Sequence, residues 1–242
     1  MPDLRKFSDA QAAAEACAAH ILQLLQSALM GRGPASLAIS GGSTPKLMFA
    51  AMAKARFEWK NVHLFWVDER AVPPDHEQSN YRLAEETLIR PAKIRNVHRI
   101  PAELPPAQAA KRYSTDIREH FQLTDGDLPH FDVVHLGIGP DAHTASLFPG
   151  EPLIEDRQGL AAAVYVEKIP QWRITLLPGV LLAARNMVIL AAGEDKREPL
   201  DKILHGPYEP LRYPAQIVAR QARRPIFFLD RSAGGEEVAL AP

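Results

Sequence analysis

Phe131-Asp-Val-Val-His-Leu-Gly-Ile-Gly-Pro-Asp-Ala-His-Thr-Ala-Ser-Leu-Phe-Pro149 changes character halfway along its length. The apolar run from Phe131 to Leu136 has the length of a buried strand. It breaks at Gly137 and Gly139, and Asp141, His143, Thr144 and Ser146 follow at once. In a parallel α/β sheet, ligands collect outside the carboxyl ends of the strands, where loops and helix N-termini converge. His143 is therefore the first candidate for chemistry, with Asp141 the nearest carboxylate in sequence.

The same grammar recurs on both sides. A strand from Ser36 to Ile39 runs into Ser40-Gly-Gly-Ser-Thr-Pro45 and then a helix over Lys46 to about Lys54, with Thr44 as N-cap and Pro45 at the first helical position. Gly42, Ser43 and Thr44 fit a phosphate cradle, because free backbone N–H groups and the helix dipole would meet there. They fit a plain tight turn equally well. The strand Val62 to Val67 ends in Asp68-Glu69-Arg70; without other context, three charges there read as a solvated strand end. Ser79 starts a further helix. The strand Met187 to Ala191 leads to Gly193-Glu-Asp-Lys196, where Lys196 could neutralise a phosphate or could be an ordinary helix-surface lysine.

The remaining elements are scaffold. Residues 8–30 form an amphipathic helix, with Ser8 and Gln11 as a capping box and Gly31 as its end. Ile94, Val97 and Ile100 mark a short strand inside a connection, and Gln108 to Phe121 carries Tyr113, Ile117 and Phe121 along one face. Strand-like segments at 163–166 and 173–176 precede a short helix from Pro178. A last strand, Pro225 to Leu229, ends at Asp230 before a glycine-containing tail. Strands alternating with helices predict a Rossmann-like open α/β sheet, mainly parallel and covered on both faces. The 242 residues with 46% apolar content suffice for a single domain over 1–242, although length alone leaves two small domains open.

Composition removes several function classes. The net charge is −1 with interspersed signs, so no footprint for nucleic acid or an anionic membrane is expected. No run approaches the roughly 20 apolar residues of a membrane helix, and the N-terminus lacks a signal-peptide pattern, so a cytoplasmic location is expected. The single cysteine, Cys17, lies in an alanine-rich helical pattern and reads as a buried structural thiol. The serines lack a Gly-x-Ser-x-Gly elbow, and the nine histidines show no zinc-ligand spacing. His63 and His135 fall within strands as core histidines. His98, His120, His130 and His205 read as surface or turn residues, and His76 stays a weak site candidate beside Asp68-Glu69-Arg70. Gly137-Ile-Gly139 lacks the third glycine of a dinucleotide fingerprint, since position 142 is alanine. What remains is acid/base work on a small phosphorylated substrate, without a cofactor.

Ser40-Gly-Gly-Ser-Thr-Pro45, Trp66-Val-Asp-Glu-Arg70, Ser79-Asn-Tyr81, Gly137 to Pro149, Arg173-Ile-Thr175 and Gly193-Glu-Asp-Lys196 together resemble the 6-phosphogluconolactonases, of one superfamily with the glucosamine-6-phosphate deaminases. The resemblance implies hydrolysis of 6-phospho-D-glucono-1,5-lactone in the pentose phosphate pathway. In that chemistry His143 is the general base for water, Asp141 orients the imidazole and Arg70 lies near the substrate oxygens. It implies that Gly42, Ser43, Thr44, Arg173 and Lys196 hold the phosphate, with Asp68, Glu69 and Asn80 in support, and that no metal or covalent nucleophile is required. A monomer or weak homo-oligomer is expected. The family usually has glycine where this chain has Ala142; if a positive φ is needed there, alanine is strained by about 1 kcal/mol or more, and the loop is expected to adapt. Two alternatives are a deaminase and a non-catalytic sugar-phosphate-binding regulator. Against the first, the family's glutamate five residues after the histidine is Phe148 here, and its aromatic residue after Asp-Glu is Arg70. Against the second, a phosphate sensor has no need of His143.

Overall fold

In the computed structural model, which describes residues 2–235, the apolar runs pair into a seven-stranded sheet in which every pairing is parallel. In chain order its strands are β1 (Asp3–Phe7), β2 (Ala35–Ile39), β3 (Val62–Trp66), β5 (Asn96–His98), β6 (Val133–Leu136), β9 (Met187–Ala191) and β10 (Ile226–Asp230). A second, antiparallel sheet is built from β4 (Asp68–Arg70), β7 (Ala161–Val166) and β8 (Gln171–Leu176). Central strands β2, β6 and β9 are buried at every position, as expected of strands covered on both faces. In the glycine-containing tail, Arg231–Gly234 form a short helix with Asp230 as its N-cap, and residues 236–242 lie outside the described residues.

The strand order, β1-β10-β9-β6-β2-β3-β5, locates the site. The chain builds outward from β2 through β3 to β5, returns to β6 beside β2, and then builds the other way. Connections leaving β2 and β6 therefore diverge to opposite sides, and a crevice opens between them at the carboxyl edge. The two loops that bound it are Ser40-Gly41-Gly42 and Gly137 to Pro140. They are tied together beneath: the Ser40 N–H donates to His135 Nδ1 at 3.4 Å, and the Ser40 hydroxyl donates to the His135 carbonyl at 3.2 Å. His135 is fully buried, and burial pushes it down to about 3, so it stays neutral.

Several boundaries differ from the sequence reading for identifiable reasons. The first helix runs Ala10–Arg32; its cap is Asp9, whose carboxylate accepts from the Ala12 N–H at 2.9 Å, not Ser8. It passes through Gly31 and stops at Gly33, whose φ of 94° alanine would resist. The helix after β2 begins at Ser43 with Gly42 as its cap, two residues before the expected first helical position at Pro45, so Thr44 lies inside it. Ser79 does cap the next helix, accepting from the Arg82 N–H. Segments 163–166 and 173–176 form a hairpin outside the parallel sheet, and β1 and the helix Gln216–Gln221 carry no pattern that announced them. Cys17 is buried, as read. Among the described residues, no helix is long and apolar enough to cross a membrane.

Candidate active site

A cleft of about 290 Å³ sits at the β2/β6 crevice, lined by the ends of both strands, by β4 and by β8. Ser40 and Gly41 come from the first loop, Gly137 to Pro140 and His143 from the second, Asp68 and Arg70 from β4, Arg173 from β8 and Lys196 from the turn after β9. The extended stretch after Trp66 thus continues into a second sheet that leans over the crevice, and the strands' polar ends meet in one place.

His143 is fixed from three sides. Its Nδ1 lies 2.5 Å from Asp141 Oδ1, and its backbone N–H donates to the same oxygen at 3.3 Å. Its ring packs on Phe148 with centroids 4.2 Å apart. Against Gly139 there is no room to spare: a Cβ at 139 would stand 2.0 Å from His143 Nδ1. Asp141 also receives Lys168 Nζ at 3.3 Å, a residue from the hairpin turn that the sequence reading did not single out. Burial by itself would raise the Asp141 carboxyl, but the hydrogen bond and charge of His143, its N–H and Lys168 outweigh burial and hold the group well below the usual carboxylate range. An ionised Asp141 accepts a hydrogen bond from Nδ1–H and so keeps the proton on Nδ1, which leaves Nε2 as the basic nitrogen.

Ala142 does occupy the left-handed region, at φ 62°. The loop has not adapted away from it: its N–H donates to the Gly139 carbonyl at 3.0 Å and its carbonyl accepts from the Ala215 N–H at 2.9 Å, which pins the peptide on both sides. The methyl group is 1% exposed, so a buried-methyl gain of about 0.8 kcal/mol sets itself against about 1 to 2 kcal/mol of backbone strain.

Asp68-Glu69-Arg70 is no solvated strand end. Asp68 and Glu69 are buried, because the second sheet covers them. Glu69 accepts from the backbone N–H groups of Arg70, Asn80 and Tyr81 at 2.8, 2.7 and 2.7 Å and from the Ser79 hydroxyl at 3.0 Å. Burial raises its pKa on balance, although the three backbone donors pull the other way; with four donors converging on its two oxygens, the carboxyl group ties Arg70, Ser79, Asn80 and Tyr81 together. Asn80, held by Glu69, donates through Nδ2 to the Asp68 carbonyl at 3.0 Å and accepts from Arg70 Nη1 at 2.5 Å. Its side chain passes so close to Gly41 that a Cβ there would fall 1.9 Å from Asn80 Oδ1. Thr144 and Ser146 turn away from the cleft: Thr144 donates to the Gly137 carbonyl at 2.9 Å and Ser146 to Asp68 Oδ2 at 2.7 Å.

The opposite wall is cationic. Arg70 and Arg173 are direct partners across the β4/β8 pair, and both have a buried Nε with no hydrogen-bond partner among the described residues. Burial first, and then the Arg70 charge, lowers the pKa of Arg173. Like charges directly opposed on a sheet are destabilising, and the arrangement invites an anion between or beside them. Lys196 lines the same cleft with its Nζ 2.6 Å from Asp195. Gly42, Ser43 and Thr44 stand at the start of the helix behind Ser40 and Gly41 and do not themselves line the cleft. His76 accepts from the Gln78 N–H at 3.1 Å and lies outside it. Ile169 lines the cleft from the hairpin turn, where an isolated apolar residue gives no signal in sequence.

A family model described as glucosamine-6-phosphate isomerases/6-phosphogluconolactonase matches residues 8–227. A 6-phosphogluconolactonase from Homo sapiens is 37% identical over 241 residues, covering 94% of this chain and 90% of that protein. One from Synechocystis sp. is 37% identical over 210 residues, 86% of each. Among solved structures, a 6-phosphogluconolactonase from Trypanosoma cruzi superposes with a TM-score of 0.87 at 25% identity, covering 98% of this chain and 97% of that one. A monomeric glucosamine-6-phosphate deaminase shares the fold at a TM-score of 0.81 and 16% identity. With its sequence matched nearly end to end and its sheet shared with these enzymes, the chain belongs to the glucosamine-6-phosphate isomerase/6-phosphogluconolactonase family.

Proposed function

We propose that the cleft hydrolyses 6-phospho-D-glucono-1,5-lactone to 6-phospho-D-gluconate, with His143 as the general base. The observation that carries this is the Asp141–His143 pair: Nδ1 is committed to Asp141, so Nε2 presents a lone pair to a cleft whose far wall holds Arg70 and Arg173. Water placed against Nε2 gives up its proton as its oxygen bonds to the lactone C1. The carbonyl becomes a tetrahedral oxyanion, and Arg70 on the cleft wall is the cation assigned to it. Collapse breaks the bond from C1 to the ring oxygen, and the imidazolium returns its proton to that oxygen, leaving a hydroxyl and a carboxylic acid. Asp141 favours the imidazolium that exists between the two transfers.

The phosphate of the substrate is assigned to Arg173 and Lys196, which line the cleft together with Ser40 and Gly41, and the helix start at Gly42, Ser43 and Thr44 stands behind that wall. Unpartnered buried N–H groups on Arg70 and Arg173 support an anionic ligand there. Phe148 supports a lactonase over a deaminase, since an apolar ring packed on His143 offers no second carboxyl group for proton transfer on an opened sugar. The test is a coupled assay with freshly generated lactone. Wild-type protein should open the ring well above background, and His143→Ala should lower kcat by about 10²-fold or more with KM little changed. Ring opening at the uncatalysed rate by wild-type protein would overturn the activity, and a wild-type kcat in the variant would remove His143 from its role.

A further inference from the structure

Outside the cleft, three histidines from three elements meet at the edge of the main sheet. His63 lies on β3, His98 on the edge strand β5 and His120 in the last turn of the helix Pro106–Phe121. One ring nitrogen from each falls within 4.8 Å of the other two. His98 and His120 are thus part-buried members of a cluster, not the surface or turn residues that the sequence suggested.

The details fit a metal ligand set. His98 Nδ1 lies 3.1 Å from both carboxylate oxygens of Asp116, so its proton resides there and Nε2 faces inward. That is the carboxylate–histidine relay which orients a metal-binding imidazole. His63 Nδ1 is 3.0 Å from that Nε2. The His120 ring lies 4.4 Å from that of His63 and 4.9 Å from that of His98, with no hydrogen bond to a described residue. Phe65 stacks flat on His98 at 4.2 Å and sets that ring's plane, whereas Phe65 and Phe121 meet His120 edge-on and no hydrogen bond to a described residue holds its ring. Side chains of His98 and Asp116 remain 19% and 33% exposed, which gives an ion a way in.

We propose that His63, His98 and His120 bind one Zn²⁺-class divalent cation, with water as the fourth ligand and Asp116 orienting His98. Imidazole donors suit such ions. Tetrahedral bonds of about 2.0 to 2.1 Å place ligand nitrogens roughly 3.3 Å apart; the His63–His98 pair is already near that spacing, and a rotation of the His120 ring closes the rest. On binding, the proton shared between His63 and His98 moves to His63 Nε2, so no net proton need be lost. The ion clips the edge strand and the helix to β3. None of the three histidines lines the catalytic cleft, so its role is structural.

The test is titration of metal-free full-length protein with Zn²⁺ by calorimetry at neutral pH, and with Co²⁺ by visible absorption. One ion per chain is expected, with the Co²⁺ spectrum of a tetrahedral site and a rise in Tm that chelator reverses. His120→Phe, which refills the ring's place between Phe65 and Phe121, should abolish uptake while leaving lactonase kcat and the metal-free Tm near wild type; His63→Phe repeats the test should that variant misfold. Asp116→Asn should weaken affinity by about 10- to 100-fold. His143→Ala should bind as wild type does. Absence of uptake by wild-type protein, undiminished uptake in both phenylalanine variants, or loss of it in His143→Ala would overturn the proposal.

Discussion

Glu69→Gln isolates a residue that never touches the cleft yet holds two that line it. In the wild type, one carboxylate oxygen accepts from the Arg70 and Asn80 N–H groups and the other from the Tyr81 N–H and the Ser79 hydroxyl. A glutamine can keep the first pair on its carbonyl oxygen, but its NH₂ then faces the other two donors. The Ser79 hydroxyl can rotate; the Tyr81 N–H cannot, and is left buried against another donor. That orphan costs about 1 to 3 kcal/mol, and the lost charge assistance on the remaining bonds adds about 1 kcal/mol, partly offset by relief of the buried charge. A net loss of about 3 kcal/mol in a protein of this size corresponds to a fall in Tm of about 6 to 12 °C. Because the Asn80 backbone is anchored by Glu69 and its side chain by Asp68 and Arg70, KM for the lactone should rise as well. Differential scanning calorimetry and steady-state kinetics on the same preparation measure both, with the exposed Glu86→Gln as the control. If Glu69→Gln melts within about 2 °C of wild type and keeps its KM, the four-donor account of Glu69 is wrong.

Asp141→Asn tests tautomer control: an amide NH₂ offered to Nδ1 moves the ring proton to Nε2, so kcat should fall by about 10²- to 10⁴-fold with little effect on KM. Asp141 also links stability to pH. Its folded pKa lies below the unfolded value, so its contribution is complete above about pH 4 and is lost as pH falls through the folded pKa; the Tm gap between wild type and Asp141→Asn should narrow in acid, and a gap that widens contradicts the assigned sign. Gly139→Ala leaves the backbone conformation accessible but drives a Cβ to within 2.0 Å of His143 Nδ1. The displaced ring should lower kcat about 10²-fold while secondary structure is kept, and an unaltered rate would show that the ring has more room than the structure gives it. Ala142→Gly relieves strain at φ 62° but removes a buried methyl and loosens the unfolded chain, terms of about 1 kcal/mol each. Its Tm should move by no more than about 3 °C; a rise well beyond that would mean the strain is larger than the methyl can offset.

Where periodicity and glycine punctuation coincide, as from Phe131 to Gly139, sequence is sufficient for strand, turn and the delivery of His143. The central strands were legible because burial on both faces makes them continuously apolar. β1 was not, since Asp-Leu-Arg-Lys-Phe at an exposed sheet edge has neither a continuous apolar run nor a helical period. The segments of β7 and β8 were legible as strands, but their pairing with β4 in a second sheet was not, because strand pairing is set by long-range register that no local pattern encodes. Asp68-Glu69-Arg70 failed for a related reason: charges read as solvated when the sheet that covers them is a hundred residues away. The histidine cluster escaped because its members come from two strands and a helix, and only β3–β5 pairing and helix docking bring them together.

The division between the two sheets explains why the cleft forms where it does. The parallel sheet, through its switch point, supplies what must be rigid: the glycine-rich turn, Gly139 beneath the imidazole, and His143 locked by Asp141. The antiparallel sheet supplies what must be charged, and it does so at an energetic cost, since Arg70 and Arg173 face each other with buried, unpartnered Nε atoms. That cost is borne by the unliganded protein and relieved by an anion. With the phosphate beside Arg173 as proposed, a phosphorylated substrate would gain affinity from the repulsion it removes as well as from the bonds it makes. On that assignment a neutral lactone of the same ring would gain neither, and selectivity for the phosphorylated sugar would follow from the register that sets residue 70 opposite residue 173.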